Sequence, residues 1–429
     1  MRIYVVKPGD SVWSISRTFG VSMESITTVN GLQEIPGLVI GQALVIPTRE
    51  RTYVVQPGDS IWAIAQRFNV SVYSIASLNS ISAPYSIYPG MTLRIPEKSK
   101  NYGFIEVNTY IEPSTSENET RVINEVGSYL TYLSPFSYRV TEDGSLITIN
   151  DETILAAARR YRDAPLMVIT NFKGGTFDTD LGHTILTSST IQQNVINNVL
   201  SIMRNKGYYG LNIDFERISP DDKELYNDFL RKVVAALRPL NYPVATALAP
   251  KTSAGQVGAW YGAHDYRAHG EIVDFVILMT YEWGWSGGPP MPVAPIDQVR
   301  AVLNFAVSVI PRKKIMMGMP LYGYDWTLPY MPHGAYAARV SPQDTYTIAY
   351  RRGAVVKYDY RSESPYINYT DERGVQHIIW FEDARSVQAK FRMASEYGLR
   401  GVSYWELGSS FPQNWYVLDD MFQITKVIT

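Results

Sequence analysis

The chain has 429 residues, of which 45% are hydrophobic, and its formal charge is -2 at pH 7 with an isoelectric point of about 6.3. At about 100–200 residues per domain, this length predicts several units with a full apolar core. The balanced charge offers no basic field for nucleic acid or anionic lipid, so we expect neither as a partner. The absence of cysteine excludes disulfides and thiolate metal sites, and the five histidines show no ligand spacing, so we expect no metal and no cofactor.

The amino-terminal sequence, Met-Arg-Ile-Tyr-Val-Val-Lys-Pro-Gly, contains no apolar stretch of signal-peptide length. The most apolar later stretch, residues 272–279, is short and includes Asp274, so we expect no membrane span. The protein is therefore expected to work inside the cell that makes it, or to be deposited without the general secretion route.

An internal repeat aligns residues 2–47 with residues 51–96 without a gap. The string Tyr-Val-Val-x-Pro-Gly-Asp-Ser begins at Tyr4 and again at Tyr53, and each copy ends in Ile-Pro. Pro-Gly-Asp-Ser is typical of a turn followed by a helix cap. Each copy therefore predicts a strand, two helices and a second strand.

The repeat resembles the LysM module, which binds glycans that contain N-acetylglucosamine. The resemblance implies that a glycan lies between the turn after the first strand and the loop before the second, residues 36–38 or 85–87. The implied glycan-binding residues are Gly9, Asp10, Ser11, Gly58, Asp59 and Ser60. The same turns also serve as helix caps, and both roles can hold. We expect modules at residues 1–48 and 51–97, with short polar linkers at 49–51 and 97–101.

From residue 102 onward, apolar runs alternate with amphipathic stretches. The predicted strands are residues 103–107, 129–133, 166–170, 210–215, 243–249, 273–280, 314–319 and 401–405. The clearest helical patterns are residues 153–162, 191–205, 223–237, 296–309 and 384–397. Eight strands with intervening helices predict an α/β fold, a (β/α)8 TIM barrel over residues 102–429. A doubly wound open sheet is the alternative, but no Gly-x-Gly-x-x-Gly follows the first strand.

One interval between predicted strands is too long for a single crossover helix. Residues 325–378 contain several aromatic or β-branched runs, among them 346–350 and 354–360. We interpret this interval as a small α+β insertion between the seventh and eighth strands. Because active sites of this barrel lie at the carboxyl ends of the strands, the insertion is expected to wall one side of the cleft.

The fourth predicted strand carries three polar residues in alternation, Asn212, Asp214 and Glu216. Side chains alternate along a strand, so these three are expected to point into the barrel, with Glu216 at the carboxyl end. Cleavage of a glycosidic bond needs a proton donor for the leaving oxygen, and Glu216 is the candidate. The neighbouring Asp214 is expected to raise the pKa of Glu216.

This strand resembles the motif Asp-Gly-x-Asp-x-Asp-x-Glu of glycoside hydrolase family 18, the chitinase and endo-N-acetylglucosaminidase family. Tyr209 and Asn212 replace the first two acids of the motif. We expect Asn212 to hydrogen-bond to Asp214 without sharing its proton. The effect of the two replacements on Asp214 stays open.

Further segments of the same family occur in order along the chain. Met279-Thr280-Tyr281-Glu282-Trp283 resembles the family's Met-x-Tyr-Asp, with Glu282 in place of Asp, and residues 318–323 resemble its strand-seven segment. Tyr404-Trp405-Glu406 resembles the segment with its sugar-floor tryptophan. The resemblance implies catalytic roles for Glu216, Asp214, Tyr281 and Asn212, and substrate contacts for Trp405, Met279, Trp283 and Tyr322.

The resemblance implies retaining, substrate-assisted hydrolysis, in which the 2-acetamido group of the substrate is the nucleophile. The combination of two LysM modules with this barrel resembles the spore-cortex N-acetylglucosaminidases of the family. It implies peptidoglycan or cortex glycan as the partner, no obligate protein partner, and a place in the spore coat or cortex, or otherwise at the cell wall. The alternatives are a chitinase and a non-catalytic lectin of the same fold. Endo or exo action, a requirement for muramic lactam, and the oligomeric state stay open.

Overall fold

The computed structural model describes residues 1–47, 50–68, 70–96, 102–256 and 258–428. Two small modules precede a closed barrel. The elements of the first module are the strands Arg2–Val5 and Ala43–Ile46 and the helices Val12–Phe19 and Met23–Val29. Those of the second are the strands Glu50–Val54 and Thr92–Pro96 and the helices Ile61–Phe68 and Val72–Leu78. In each module the two strands pair antiparallel, as the repeat predicts.

The predicted linkers are only partly covered by the description. Thr48 and Arg49, and residues 97–101, lie outside the described residues. The prediction of a linker at 49–51 is wrong for its last two residues, because the first strand of the second module begins at Glu50 and pairs with Pro96.

Eight parallel strands form the barrel. They are Phe104–Ile111, Tyr132–Pro135, Ala164–Thr170, Gly210–Asp214, Val244–Leu248, Phe275–Leu278, Ile315–Pro320 and Gly401–Trp405. Each pairs with its neighbour in chain order, and the eighth pairs with the first, so the sheet closes. The predicted TIM barrel is confirmed, with strand ends displaced by a few residues.

Helices surround the barrel on its outer face. They are Ser116–Val126, Glu152–Tyr161, Thr179–Thr187, Ser189–Lys206, Lys223–Leu237, Tyr266–Ile272, Ile296–Val309, Ala384–Glu396 and Pro412–Met421. Lys223–Leu237 shows why they form: Tyr226, Phe229, Leu230 and Val233 recur at helical spacing and are buried against the strands. None of the helices in the described ranges combines the length and apolarity that a membrane span needs.

Short strands accompany the barrel. They are Tyr138–Val140, Leu146–Ile147, Phe172–Lys173, Thr176–Phe177 and Gln423–Ile424. Single 3-10 turns are Leu32–Glu34, Gly127–Tyr129, Pro220–Asp222, Arg238–Leu240 and Arg312–Lys314. The hairpin of Phe172–Lys173 and Thr176–Phe177 follows the third barrel strand and so stands at the open end of the barrel.

The segment between the seventh and eighth barrel strands forms an antiparallel five-stranded sheet and one helix, as expected for an α+β insertion. The strands are Gly323–Leu328, Ala338–Val340, Lys357–Asp359, Ser364–Thr370 and Gln376–Trp380, and the helix is Pro342–Arg352. The aromatic run at 346–350 lies in that helix.

The first LysM module shares its core with the rest of the chain. All four residues of Ala43–Ile46 are buried; Ala43 and Val45 face the main barrel core, and Leu44 and Ile46 join the core of the insertion. Gln413 donates its amide N–H to Asn30 Oδ1 at 2.9 Å and to the Ala43 carbonyl at 2.8 Å. The first module is therefore fixed against both the barrel and the insertion.

The second module instead has an apolar cluster made only of its own residues. Its strand Thr92–Pro96 alternates exposed and buried positions at its start, in contrast to Ala43–Ile46. It contacts the barrel through polar and aromatic edges: the Tyr85 hydroxyl donates to the Asn124 carbonyl at 3.0 Å, and the rings of Tyr73 and Tyr129 lie 5.6 Å apart. The two modules therefore differ in how they are attached.

Candidate active site

The fourth barrel strand places its polar residues inside the barrel and its apolar residues outside. Leu211, Ile213 and Phe215 lie in the core between strands and helices. Asn212 and Asp214 are buried, and Glu216, two residues past the end of the strand, is partly exposed. The alternation predicted from the sequence therefore places Glu216 at the carboxyl end of the barrel.

Asn212 does not hydrogen-bond to Asp214. Its amide N–H donates to the hydroxyl of Tyr110, at 2.6 Å, from the first barrel strand. Within the described residues, Asn212 Oδ1 and Asp214 Oδ1 are buried without a hydrogen-bond partner. The expected Asn212–Asp214 bond is wrong because Tyr110 reaches across the barrel interior and takes the amide. Tyr110 was not identified from the sequence.

Burial controls the charge of the two acids. It raises the pKa of Asp214. Burial also raises the pKa of Glu216 well above its usual value, and the charges of Asp214 and Glu282 raise it further, against the opposing effect of Arg217. Glu216 therefore holds a proton at a pH where an ordinary glutamate has lost it.

Aromatic rings form a floor at the mouth of the barrel. Trp405, at the end of the eighth strand, is half-buried; its ring lies 4.8 Å from Phe136 and 5.4 Å from Tyr110. Tyr281 follows the sixth strand and is almost fully buried. Burial raises the pKa of Tyr281, and the nearby Tyr110, Asp214 and Glu216 add to the increase. Tyr281 therefore lies next to the two acids.

Tyr322 is buried at 1% exposure, and its hydroxyl donates to the carboxylate of Glu282. Tyr324 donates to the same carboxylate at 2.9 Å. The guanidinium of Arg339 stacks 4.2 Å above the Tyr322 ring and pairs with Glu406 at 2.8 Å. Tyr322 thus positions Glu282 and has almost no surface to offer as a wall of the cleft.

Met279 and Trp283 flank Tyr281 in the chain and are partly buried against the main core. The backbone N–H of Met279 donates to the Leu248 carbonyl, and that of Trp283 to the Val293 carbonyl. These bonds hold both residues near the end of the sixth strand. Their contact with substrate stays a prediction.

Asn171 is a site residue that the sequence did not reveal. It follows the third barrel strand and is fully buried. Its Oδ1 accepts the backbone N–H of Glu216 at 3.0 Å, and its Nδ2 donates to the Glu216 carbonyl at 2.9 Å. A buried amide at the end of an adjacent strand thus holds the backbone of Glu216 from both sides.

His264 holds the neighbouring peptide. Its Nδ1 accepts the backbone N–H of Ala249 at 2.9 Å, so the proton lies on Nε2, which donates to the Phe215 carbonyl at 3.0 Å. Burial lowers the pKa of His264 to about 4, which keeps the ring neutral. The only sequence signal for this residue was a histidine in a long loop after a strand.

The turns of the two LysM modules have matching geometry. Asp10 Oδ2 accepts from the Tyr4 hydroxyl and the Lys7 N–H, both at 2.7 Å. Asp59 Oδ2 accepts from Tyr53 and the Gln56 N–H at 2.7 and 2.8 Å. Both carboxylates therefore stabilise the turn itself.

The serines of these turns cap the following helices. Ser11 Oγ accepts the N–H of Ser14, and Ser60 Oγ that of Ala63. Gly9 and Gly58 have φ of 86° and 87°, which glycine adopts without strain, and both are exposed. A glycan role for the six turn residues stays a prediction.

No group of three or more histidine, aspartate or glutamate side chains in the described ranges is arranged to hold a metal ion. The acids at the mouth of the barrel lie beside aromatic rings and hydroxyls. Such a site can donate a proton, accept the N–H of an amide and stack against a sugar ring.

Comparison with known families agrees with this geometry. The model for glycosyl hydrolases family 18 matches residues 100–409, and the LysM domain model matches residues 4–47 and 53–96.

Two relatives match over almost the whole chain, and a third protein shares the barrel fold. The cortical fragment-lytic enzyme of Bacillus subtilis (strain 168) is 49% identical, with 99% of each chain covered. The crystal structure of the Bacillus cereus spore cortex-lytic enzyme SleL superposes with a TM-score of 0.84 at 42% identity, covering 99% of this chain and 98% of that one. A chitinase from Chromobacterium violaceum shares the fold at 24% identity, with a TM-score of 0.68 over 74% of this chain and 98% of that one.

Proposed function

This chain belongs to the glycosyl hydrolases of family 18, and we propose that it hydrolyses β-1,4 N-acetylglucosaminyl linkages of spore-cortex peptidoglycan with retention of configuration. The observation that carries the proposal is the pair of acids at the open end of the barrel, the buried Asp214 and the partly exposed Glu216, with Tyr281 close to both. Similarity over the full chain to cortical fragment-lytic enzymes, including both LysM modules, supports the cortex as substrate and a place at the spore or cell wall.

Glu216 is the general acid of the proposed mechanism. Its raised pKa favours the protonated form, which supplies the proton for the leaving glycosidic oxygen. After the bond breaks, the same group is a carboxylate and takes a proton from the attacking water. The backbone bonds from Asn171 and His264 fix the position from which the proton is delivered.

The nucleophile is the acetamido carbonyl of the substrate. Asp214 and Glu216 come from one face of one strand, so they lie side by side, whereas a two-carboxylate retaining scheme needs a carboxylate on each face of the sugar. Asp214 Oδ1, which has no partner among the described residues, accepts the acetamido N–H and offsets charge on the oxazolinium ion. Tyr281 donates to the acetamido oxygen, and Trp405 forms the floor under the ring.

The same fold has two alternative functions, a silent lectin and a chitinase. A silent lectin is disfavoured because both acids are present and the chain is a family 18 hydrolase. Chitinase activity is the remaining candidate, since the fold is shared with chitinases. Parallel digests of chitin oligomers and cortex fragments, followed by mass spectrometry of the products, decide between the two substrates.

Replacing Glu216 by Gln tests the proposed acid. The variant keeps the shape and loses the proton, so release of reducing ends should fall at least about 100-fold. Glu271→Gln, at an exposed carboxylate on the helix Tyr266–Ile272, is the matched control and should keep full activity. Near-normal turnover by Glu216→Gln would refute the assignment, and an inverted anomer as first product, seen by NMR, would refute retention.

A further inference from the structure

The α+β insertion touches the loop of the first LysM module at which we expect a glycan contact, residues 36–38. A Cβ added at Gly37 would lie 2.4 Å from the ring carbon Cε2 of Tyr350 and 3.2 Å from its hydroxyl oxygen. Because Gly37 has no side chain, the tyrosine ring rests directly on the backbone of the loop. Tyr350 nevertheless stays 45% exposed. An accessible aromatic ring from the insertion therefore borders the loop of the module.

The ring of Tyr350 is held against the loop by the packing of its own helix, Pro342–Arg352. Tyr346 and Ala349 on this helix are fully buried, in an apolar cluster that also contains residues of the first module. After the helix, the Val356 N–H donates to the Ile40 carbonyl of the module at 2.9 Å. The fold therefore fixes where the ring lies relative to the loop.

The matching loop of the second module, residues 85–87, is built differently. Ser86 stands where the first module has Gly37, and it is exposed. Tyr85 donates its hydroxyl to the Asn124 carbonyl of a barrel helix at 3.0 Å. The second module thus supplies the tyrosine of its loop from its own sequence, whereas the insertion supplies the tyrosine at the first.

We propose that Tyr350 extends the glycan groove of the first module, so that a strand containing N-acetylglucosamine also stacks against a ring of the insertion. The inference rests on the proposed function, within which the module binds wall glycan, and adds a contact from a different unit of the chain. A tyrosine ring offers an apolar face to the C–H groups of a sugar and a hydroxyl to its polar groups. The contact involves no charge, so it suits a neutral amino sugar and is insensitive to salt.

The test measures binding of the full chain to chitin, an insoluble polymer of N-acetylglucosamine, by depletion of the protein from solution. Every protein in this assay carries Glu216→Gln, so that the polymer is not cut. The variants compared are Tyr350→Ala, Tyr350→Leu and Tyr350→Phe. Tyr360→Ala is the matched control, because Tyr360 is a tyrosine of the same insertion and is 84% exposed.

We expect Tyr350→Ala to raise the Kd for chitin about fivefold, at low and high salt alike. Tyr350→Leu should show the same loss, because it keeps an apolar side chain over Gly37 without a flat ring. Tyr350→Phe and Tyr360→Ala should stay within about twofold of the parent. In chains that retain Glu216, Tyr350→Ala should leave kcat/KM on soluble tetrasaccharides unchanged.

Unchanged binding by Tyr350→Ala, an equal loss in Tyr360→Ala, or normal binding by Tyr350→Leu would overturn the proposed contact. A fall in kcat/KM on the soluble tetrasaccharides would also overturn it, since Tyr350 would then act at the catalytic cleft. The binding assay does not require hydrolysis. A chain that binds chitin through Tyr350 but cleaves no glycan would therefore refute the proposed hydrolase and leave this contact standing.

Discussion

Asn171 holds the backbone of the proposed acid from both sides, and its replacement by alanine should lower turnover far more than substrate affinity. The side chain makes three hydrogen bonds: one from the Glu216 N–H at 3.0 Å, and two to the carbonyls of Glu216 and Asp178 at 2.9 Å. All three are lost in Asn171→Ala.

The magnitude follows from what those bonds do. At about 1 kcal/mol each, their loss should lower the free energy of unfolding by about 3 kcal/mol. The effect on catalysis is separate: a displacement of about 1 Å at a reacting group costs about 100-fold in rate. We therefore expect kcat to fall about 100-fold, with KM changed by less than about threefold.

The assay combines steady-state kinetics on soluble cortex fragments with urea unfolding, and Asn198→Ala is the control. Asn198 makes one comparable bond to the Gly144 carbonyl, at 2.9 Å, outside the barrel mouth. The pH profile gives a readout that stability alone would not move, because the pKa of Glu216 depends on its distance from Asp214. If folded Asn171→Ala had the kcat and pH profile of the unmodified chain, the positioning role would be wrong.

Three further predictions follow from charge and fit. Glu282→Gln removes a charge that raises the pKa of Glu216. Since the protonated acid is the active form, the fall of kcat/KM at high pH should begin at a lower pH in this variant. If that fall stays at the same pH or moves to a higher pH, the charge of Glu282 does not raise the pKa of Glu216. Gly41→Ala should lower the free energy of unfolding in urea by about 1–3 kcal/mol more than Gly90→Ala does. The two glycines have similar φ values, 82° and 89°, but only at Gly41 would an added Cβ meet a backbone carbonyl, at 2.0 Å. Equal losses of stability in the two variants would refute the shared core. The pKa of His264 is about 4 in the folded chain and 6.5 in its ordinary state. As pH falls, the unfolded chain therefore binds a proton at this residue before the folded chain does. The free energy of unfolding should fall by about 3 kcal/mol between pH 6.5 and pH 4. Urea unfolding of the unmodified chain and of His264→Gln across this pH range measures the change. The same dependence of the free energy of unfolding on pH in both proteins would contradict the role of His264.

The sequence predicted the barrel well because its strands are short apolar runs separated by amphipathic helices. The strand 401–405 and the helices 223–237 and 296–309 were located to the residue. The alternation of Asn212, Asp214 and Glu216 also sufficed to place the acids, because the side chains of a strand alternate whatever lies around it.

The sequence could not reveal contacts that only the closed barrel brings together. Asn171 precedes Glu216 by 45 residues, and Tyr110 precedes Asn212 by 102. Nothing local to these residues distinguishes them from other buried polar groups. The expected bond from Asn212 to Asp214 failed for this reason, since the competing hydroxyl came from a distant strand.

The fusion of the first module did have a sequence signal. Ala43–Ile46 is apolar at every position, whereas the matching strand Thr92–Pro96 contains Thr92 and Arg94. A strand that is apolar on both faces is buried on both faces. The difference between the two copies of the repeat therefore indicates that the second strand of the first module, unlike its counterpart in the second module, is buried on both faces.

The shared core of the first module changes how an anchored hydrolase would work on its polymer. A module on a flexible tether would let the barrel sample many bonds around one attachment point. Here the first module shares hydrophobic cores with the barrel and the insertion, so a glycan strand bound by that module would reach Glu216 at a distance set by the fold.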